Sequence, residues 1–423
     1  MTYSKGGTMA YNLHIIKTKR FKKTVVRVNF RHKFDKQSIT YRNLLCEVLF
    51  NSTKKYPTMR DMSLKTEDLY GANYLYRNTY LGQEVITSFE LTYLDDQHTE
   101  TGNGKEAIRF LHEILFAPNV VDGTFDSKEF QKAKAHLTEK ITAAKENSNY
   151  LATRGFLKAI FHDSELQYTG PGYLEDLEQI DEKGLYEYYQ HMINRNIIDI
   201  FVCGDVNSTE IKHLFEQEFP VNTVKKPSTN FIVKQDKFRK RCRIVIDPKE
   251  DFQQSILIVG AKVNVMDEFE RKYVSSLYNY ILGGGSDSLL FQNVREKHSL
   301  CYSIYSNFDK SIHLLSIRAG IDATHYQKAV SLIRRTLKDI ADGKFDEEQI
   351  ERFKMVFRTS REEMTDTPYS MIGFYQAHEY TGMDLNDVSL KEIEKLTKDM
   401  VVEFAKKIHL DTIYLLKGGN RHE

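Results

Sequence analysis

Tryptophan is absent from this 423-residue chain, and cysteine is sparse. The four cysteines, Cys46, Cys203, Cys242 and Cys301, form no CxxC pair and sit among apolar or β-branched neighbours. They read as reduced, buried thiols of a reducing compartment rather than a disulfide framework. Charge of one sign is not in excess either. The 60 Lys and Arg almost cancel the 59 Asp and Glu, for a formal net charge of +1. That balance argues against a binder of nucleic acid or anionic membrane held by electrostatics. No apolar run approaches the about 20 residues of a membrane span. The N-terminal stretch has no continuous apolar region and no small-residue cleavage site, so no signal peptide is expected and the cytoplasm is the expected location.

What is present is a globular composition. Hydrophobic residues make up 41% and charged residues 28%, with 25 Phe and 25 Tyr supplying aromatic area. The length exceeds the ~250–300 residues at which one core stops growing, so two domains are expected.

Internal similarity divides the chain the same way. VVRVNFRHKF from Val25 and the helical pattern from Tyr41 are matched by SILIVGAKV from Ser255 and the pattern from Tyr273. DGTFD from Asp122 is matched by DGKFD from Asp342, each after an amphipathic helix. The helix, turn and β-branched strand from Leu177 are matched by those from Ile393. The offset is nearly constant, which means two tandem copies. Domains are expected at 1–222 and 237–423, with a linker at 223–236 after the proline-bearing stretch from Pro220. Strands interleaved with long helices give an α+β class: two tandem homologous domains, each a mainly antiparallel sheet covered by helices, on one face.

Fourteen histidines invite a metal site, yet none of the dipeptides completes one. His112-Glu113 and His378-Glu379 are followed at the fourth position by Phe116 and Gly382. His136-Leu-Thr-Glu139-Lys140 ends in lysine, where an ammonium repels a cation. All three read as ordinary helix residues. The segment LGGGSDSLLF from Leu282 lacks the Lys-Ser/Thr of a phosphate loop and follows no strand, so it reads as a tight turn between helices. Gly283, Gly284 and Gly285 could still present backbone to a peptide, and Ser286 or Asp287 is the expected helix cap. In FQNVREKHSLCYSIYSNF from Phe291, a helix ends near His298 and an alternating strand follows. Arg295 and Tyr302 lie either side of that turn and can converge as donors to a peptide carbonyl or carboxylate. The plainer alternative has Arg295 capping the helix and Tyr302 in the core.

LGGGSDSLLFQNVREKHSLCYSIYS resembles the C-terminal-domain signature of the insulinase/pitrilysin superfamily of zinc peptidases. RNLLCEVLFNSTKKYP from Arg42 resembles the same family's zinc helix and the turn after it. The resemblance covers nearly the whole chain and implies the processing-peptidase-like (LuxS-type) metalloprotease fold in each copy. It also exposes a departure. Where the family carries HxxEH, this chain has Asn43, Cys46 and Glu47, and the downstream ligand position falls on Glu139 or Lys140. Both imidazoles and the general-base carboxylate are missing, so no zinc is expected in this chain and it is expected to be inactive alone. The resemblance implies the inactive subunit of a pair. An HxxEH-bearing sibling would hold the zinc, and Arg295 and Tyr302 here would grip the peptide, with a homodimer as the other assembly. A scaffold or peptide-binding module without part in chemistry is one alternative, and a peptidase with a different metal arrangement is another. Neither nucleic acid nor a membrane is an expected partner.

Overall fold

The computed structural model describes residues 2–5, 11–219, 231–235, 237–249 and 251–419. The first half runs β1 (Thr2–Lys5), β2 (Asn12–Lys17), β3 (Lys23–Lys33), α1 (Lys36–Asn51), α2 (Met59–Asp68), β4 (Asn73–Leu81), β5 (Glu84–Leu94) and α3 (Asn103–Phe116). A short hairpin of β6 (Val120–Val121) and β7 (Thr124–Phe125) follows, then α4 (Ser127–Lys145), α5 (Ser148–Ile160), α6 (Leu174–Glu178), α7 (Glu182–Arg195), β8 (Ile197–Gly204) and α8 (Ser208–Glu218). The second half runs β9 (Arg243–Lys249), β10 (Ser255–Val263), α9 (Ser275–Gly283), β11 (Cys301–Asp309), β12 (Leu314–Ile321), α10 (Tyr326–Ala341), α11 (Glu348–Glu363), α12 (Pro368–Thr381), α13 (Asn386–Glu392), α14 (Lys398–Lys406) and β13 (Ile408–Gly418).

The duplication is visible in the strand order. The first sheet reads β4-β5-β3-β8-β2-β1 and the second β11-β12-β10-β13-β9. In both, the first four strands are mutually antiparallel and the fifth lies parallel to the fourth. The matched segments β3 and β10 hold the same central place, and β8 and β13 lie next to them in each sheet. Among the described residues only the first sheet has a sixth strand, β1, antiparallel to β2. The α+β class with two similar halves is therefore as expected.

The covering of the sheets differs from the one-face expectation. On the first sheet, Val26, Val28 and Phe30 face a core shared with α1, α3, α4 and α7. The opposite face of β3 carries Arg27, Asn29 and Arg31, and α12 lies on it. Tyr380 Oη donates to Asp199 Oδ2 at 2.9 Å and accepts from Asn29 Nδ2 at 2.9 Å, while Gln376 Oε1 accepts from Arg27 at 3.1 Å. On the second sheet, Leu257, Val259 and Ala261 face α9, α10 and α14. Ile256, Ile258, Tyr414 and Leu416 face α5. Burial on two faces explains why β10 is apolar without alternation. It was hidden in β3 because one of its faces is polar and paired rather than apolar.

Each covering helix therefore belongs, in sequence, to the other half. The two compact units are Met1–Thr142 with Pro171–Thr229 and Glu362–Tyr380, and Ala143–Gly170 with Asn230–Arg361 and Thr381–Glu423. The sheets stay within 1–222 and 237–423, while two helical segments change sides. Of the linker expected at 223–236, only 231–235 are described. There the Val233 amide donates to the Ser311 carbonyl at 2.7 Å, and Gln235 Nε2 to that of Ile312 at 2.6 Å.

Candidate functional site

The positions that correspond to HxxEH lie on α1, which starts from an Asp35 cap whose carboxylate accepts the Ser38 amide at 2.8 Å. Residues 43, 46 and 47 share a helix face by their spacing. Cys46 is fully buried, and burial pushes its thiol up to about 12. Asn43 donates to the Ile39 carbonyl at 2.9 Å and accepts from Asn78 of β4 at 3.1 Å. Glu47 is buried at the centre of a closed set of partners. Its Oε1 accepts from Lys140 Nζ at 2.5 Å and from Tyr76 Oη at 2.6 Å. Its Oε2 lies 3.0 Å from His136 Nδ1.

Burial works against the Glu47 charge, but the hydrogen bonds from Lys140, Tyr76 and His136 outweigh it, and its carboxyl sits below the ordinary value. The ammonium of Lys140 thus supplies the positive charge that a carboxylate in this pocket needs. The donor set does not fit zinc in the family's manner, because Asn43 and Glu47 stand where the two imidazoles would be and the Glu47 carboxylate is already engaged by the Lys140 ammonium. Among the described residues no three His, Cys, Asp or Glu side chains are grouped to hold a metal ion. Of the two downstream candidates, Lys140 enters the pocket and Glu139 is exposed outside it. Sequence reasoning singled out His136 only as part of an incomplete metal motif and read it as an ordinary helix residue, and it passed over Tyr76 and Asn78. His136 is one helical turn before Lys140, so the two share a helix face, and the structure turns both toward Glu47. Tyr76 and Asn78 carry no local signal, since only the pairing of β4 with β5 brings them over α1.

The second candidate lies on β11, an edge strand. Arg295, in a π-helical turn from Phe291 to Glu296, holds its guanidinium 4.5 Å from the Phe291 ring centroid and 5.7 Å from that of Tyr302. The expected convergence is present. The expected alternation is not, because it would put Tyr302 on the side of buried Leu300 and Ile304. Cys301 pairs with Ile321 and Ser303 with Gly320, so the register slips by one at Tyr302. This bulge, entered through Ser299 at a φ of 50°, turns Tyr302 out to 81% exposure. The core alternative for Tyr302 is thereby removed.

The first two of the three glycines before this segment serve packing. A Cβ on Gly283 would lie 2.6 Å from the Ser306 amide nitrogen, and one on Gly284 would lie 2.7 Å from Tyr280 Cα. Gly285 is exposed and under no such constraint. Asp287, expected as a cap, turns its carboxylate instead to Tyr280 Oη at 3.1 Å and Arg352 Nε at 3.6 Å. A separate cavity of about 370 Å³ in the first unit, lined by Tyr93, Asp95, Asp205 and Glu210 among others, takes in none of the residues singled out in the sequence.

Comparison with known proteins agrees with this geometry. Residues 179–357 match the family model described as the peptidase M16 inactive domain. The chain is 28% identical over 414 residues to the "Probable inactive metalloprotease YmfF" of Bacillus subtilis, covering 96% of this chain and 95% of the relative. Among solved structures, a conserved protein of Enterococcus faecalis superposes with a TM-score of 0.92 at 25% identity, over 100% of both chains. The peptidase M16 inactive domain of Pseudomonas fluorescens superposes with a TM-score of 0.81 at 16% identity, over 100% of this chain and 98% of that one. The metal-helix positions filled by Asn43, Cys46 and Glu47 fit the inactive descriptions, and the chain resembles the inactive members of the M16 (insulinase/pitrilysin) peptidase family, through the family model over residues 179–357 and through the Bacillus subtilis relative over nearly its whole length.

Proposed function

We propose that this chain is the non-catalytic, substrate-binding subunit of a heterodimeric zinc peptidase of its family, acting on peptides. The single observation that carries the reading is a contrast within one chain. The metal pocket is closed by the Glu47–Lys140 pair, while Arg295 and Tyr302 stand together on an exposed, bulged edge strand. An edge strand offers unpaired backbone groups to an extended peptide. A guanidinium and a phenol beside it supply donors for a carbonyl and for the charge that develops on it during attack. Zinc, general base and water would come from an HxxEH-bearing sibling chain. Four free thiols support a reducing, cytoplasmic setting.

The test mixes the protein with such a sibling and follows turnover of a peptide. Arg295→Ala and Tyr302→Phe are each expected to lower kcat/KM by about tenfold or more, as loss of a donor to a developing charge does. Turnover that survives both changes undiminished overturns the reading and leaves a scaffold role.

A further inference from the structure

The two sheets match strand for strand until their far edges. Beyond β2 the first sheet adds β1, an antiparallel strand. Beyond β9, the counterpart of β2, no strand among the described residues is paired. The open edge is not blunted along its middle. Ile244 is 56% and Ile246 51% exposed, on the face that also bears Cys242, while Pro248 and Lys249 are confined to the strand's end. An exposed aliphatic edge of this kind is a template for another strand.

The sequence Arg243-Ile244-Val245-Ile246-Asp247 specifies which strand. It is self-complementary: basic, apolar, apolar, apolar, acidic. A two-fold axis through Val245 sets two copies antiparallel, as an isologous interface requires. It places Ile244 of each copy opposite Ile246 of the other, and Arg243 opposite Asp247, twice over. Both pairs respect the alternation of faces. Moving the axis to Ile246 sets Arg243 against Lys249 and Val245 against Asp247, so charge selects the first register. In that register Pro248 meets Cys242, outside the strand, and its missing N–H costs no ladder bond. The in-chain bonds of the two charged residues leave capacity for the pairing. Arg243 donates through Nη1 to the Ala159 carbonyl at 3.2 Å; Asp247 accepts from Tyr414 through Oδ2 at 2.8 Å, and its Oδ1 is engaged only by the Lys249 ammonium at 3.8 Å, a long and partly exposed ion pair.

We infer that β9 is a self-association edge, through which two copies of this chain join their five-stranded sheets into one of ten strands. β11, with Arg295 and Tyr302, lies at the other edge of the sheet and is left free. The inference is independent of the proposed function, and the test uses the full chain alone. Sedimentation velocity from about 1 to 100 μM is expected to show a dimer that dissociates on dilution. Ile246→Lys, at an exposed position, is expected to weaken it by about tenfold with an unchanged melting temperature. An equimolar mixture of Ile244→Cys and Ile246→Cys chains is expected to form, on mild oxidation, a cross-linked dimer that neither variant forms alone. A monomer throughout the range, a dimer indifferent to Ile246→Lys, or cross-linking as strong in a single variant as in the mixture overturns the inference. The cross-link decides the matter if the lysine variant proves unstable.

Discussion

Lys140 is the residue on which the remodelled pocket depends. Removing it leaves the Glu47 carboxylate buried with two partners instead of three. Lys140 is 44% exposed, so water already screens the pair and the cost falls at the low end for charged hydrogen bonds. Lys140→Met is expected to destabilise the chain by about 1 kcal/mol at pH 7, measured by denaturant unfolding. The pH dependence has a definite sign. The Glu47 carboxyl is lowered in the folded state, so its contribution is complete above the ordinary carboxylate value and is lost as pH falls through the lower folded value. The difference between wild type and variant is therefore expected to close below about pH 4. A difference that persists there would assign the effect to packing of the lysine stem. This substitution set was legible in the sequence as a loss, through Asn43, Cys46 and Glu47. That the loss is compensated by an ion pair was not legible, because Lys140 and Tyr76 reach Glu47 from elements far away in sequence.

Among the elements, α5 shows how much of a fold can be locally silent. It is a helix with one buried face, Ala152, Phe156, Ala159 and Ile160, and nothing in its own sequence names the sheet it covers. Contact is so close that a Cβ on Gly155 would lie 2.1 Å from Tyr414 Oη, and Tyr414 is itself buried. Gly155→Ala is therefore expected to cost about 1–3 kcal/mol despite the better helix propensity of alanine, since the helix must retreat from β13. An alanine variant that melts at or above the wild-type temperature would show that Tyr414 moves aside freely. β11 teaches a related point. Its strand character follows from alternation, but the bulge that exposes Tyr302 comes from pairing with β12, which no single-strand pattern records.

For the whole molecule, duplication and exchange have to be considered together. Residues 237–423 contain all of the second sheet but not α5, so Ile256, Ile258 and Leu416 would lose their cover. Residues 1–222 contain all of the first sheet but not α12, which would leave Arg27 and Asp199 without Gln376 and Tyr380. Expressed separately, the halves are expected to bind a hydrophobic dye and aggregate, and when co-expressed to recover a soluble complex. Two soluble, cooperatively melting halves would mean that the covering helices are dispensable. Sequence alone determined the two copies, the α+β class they share, and the erased metal motif, because all three are written in the order and spacing of residue types. Tertiary structure alone decided that Lys140 neutralises Glu47, that Tyr302 faces solvent, and that each sheet is covered by a helix from the other half. These depend on register and on contacts between residues distant in the chain, for which hydrophobic periodicity carries no information.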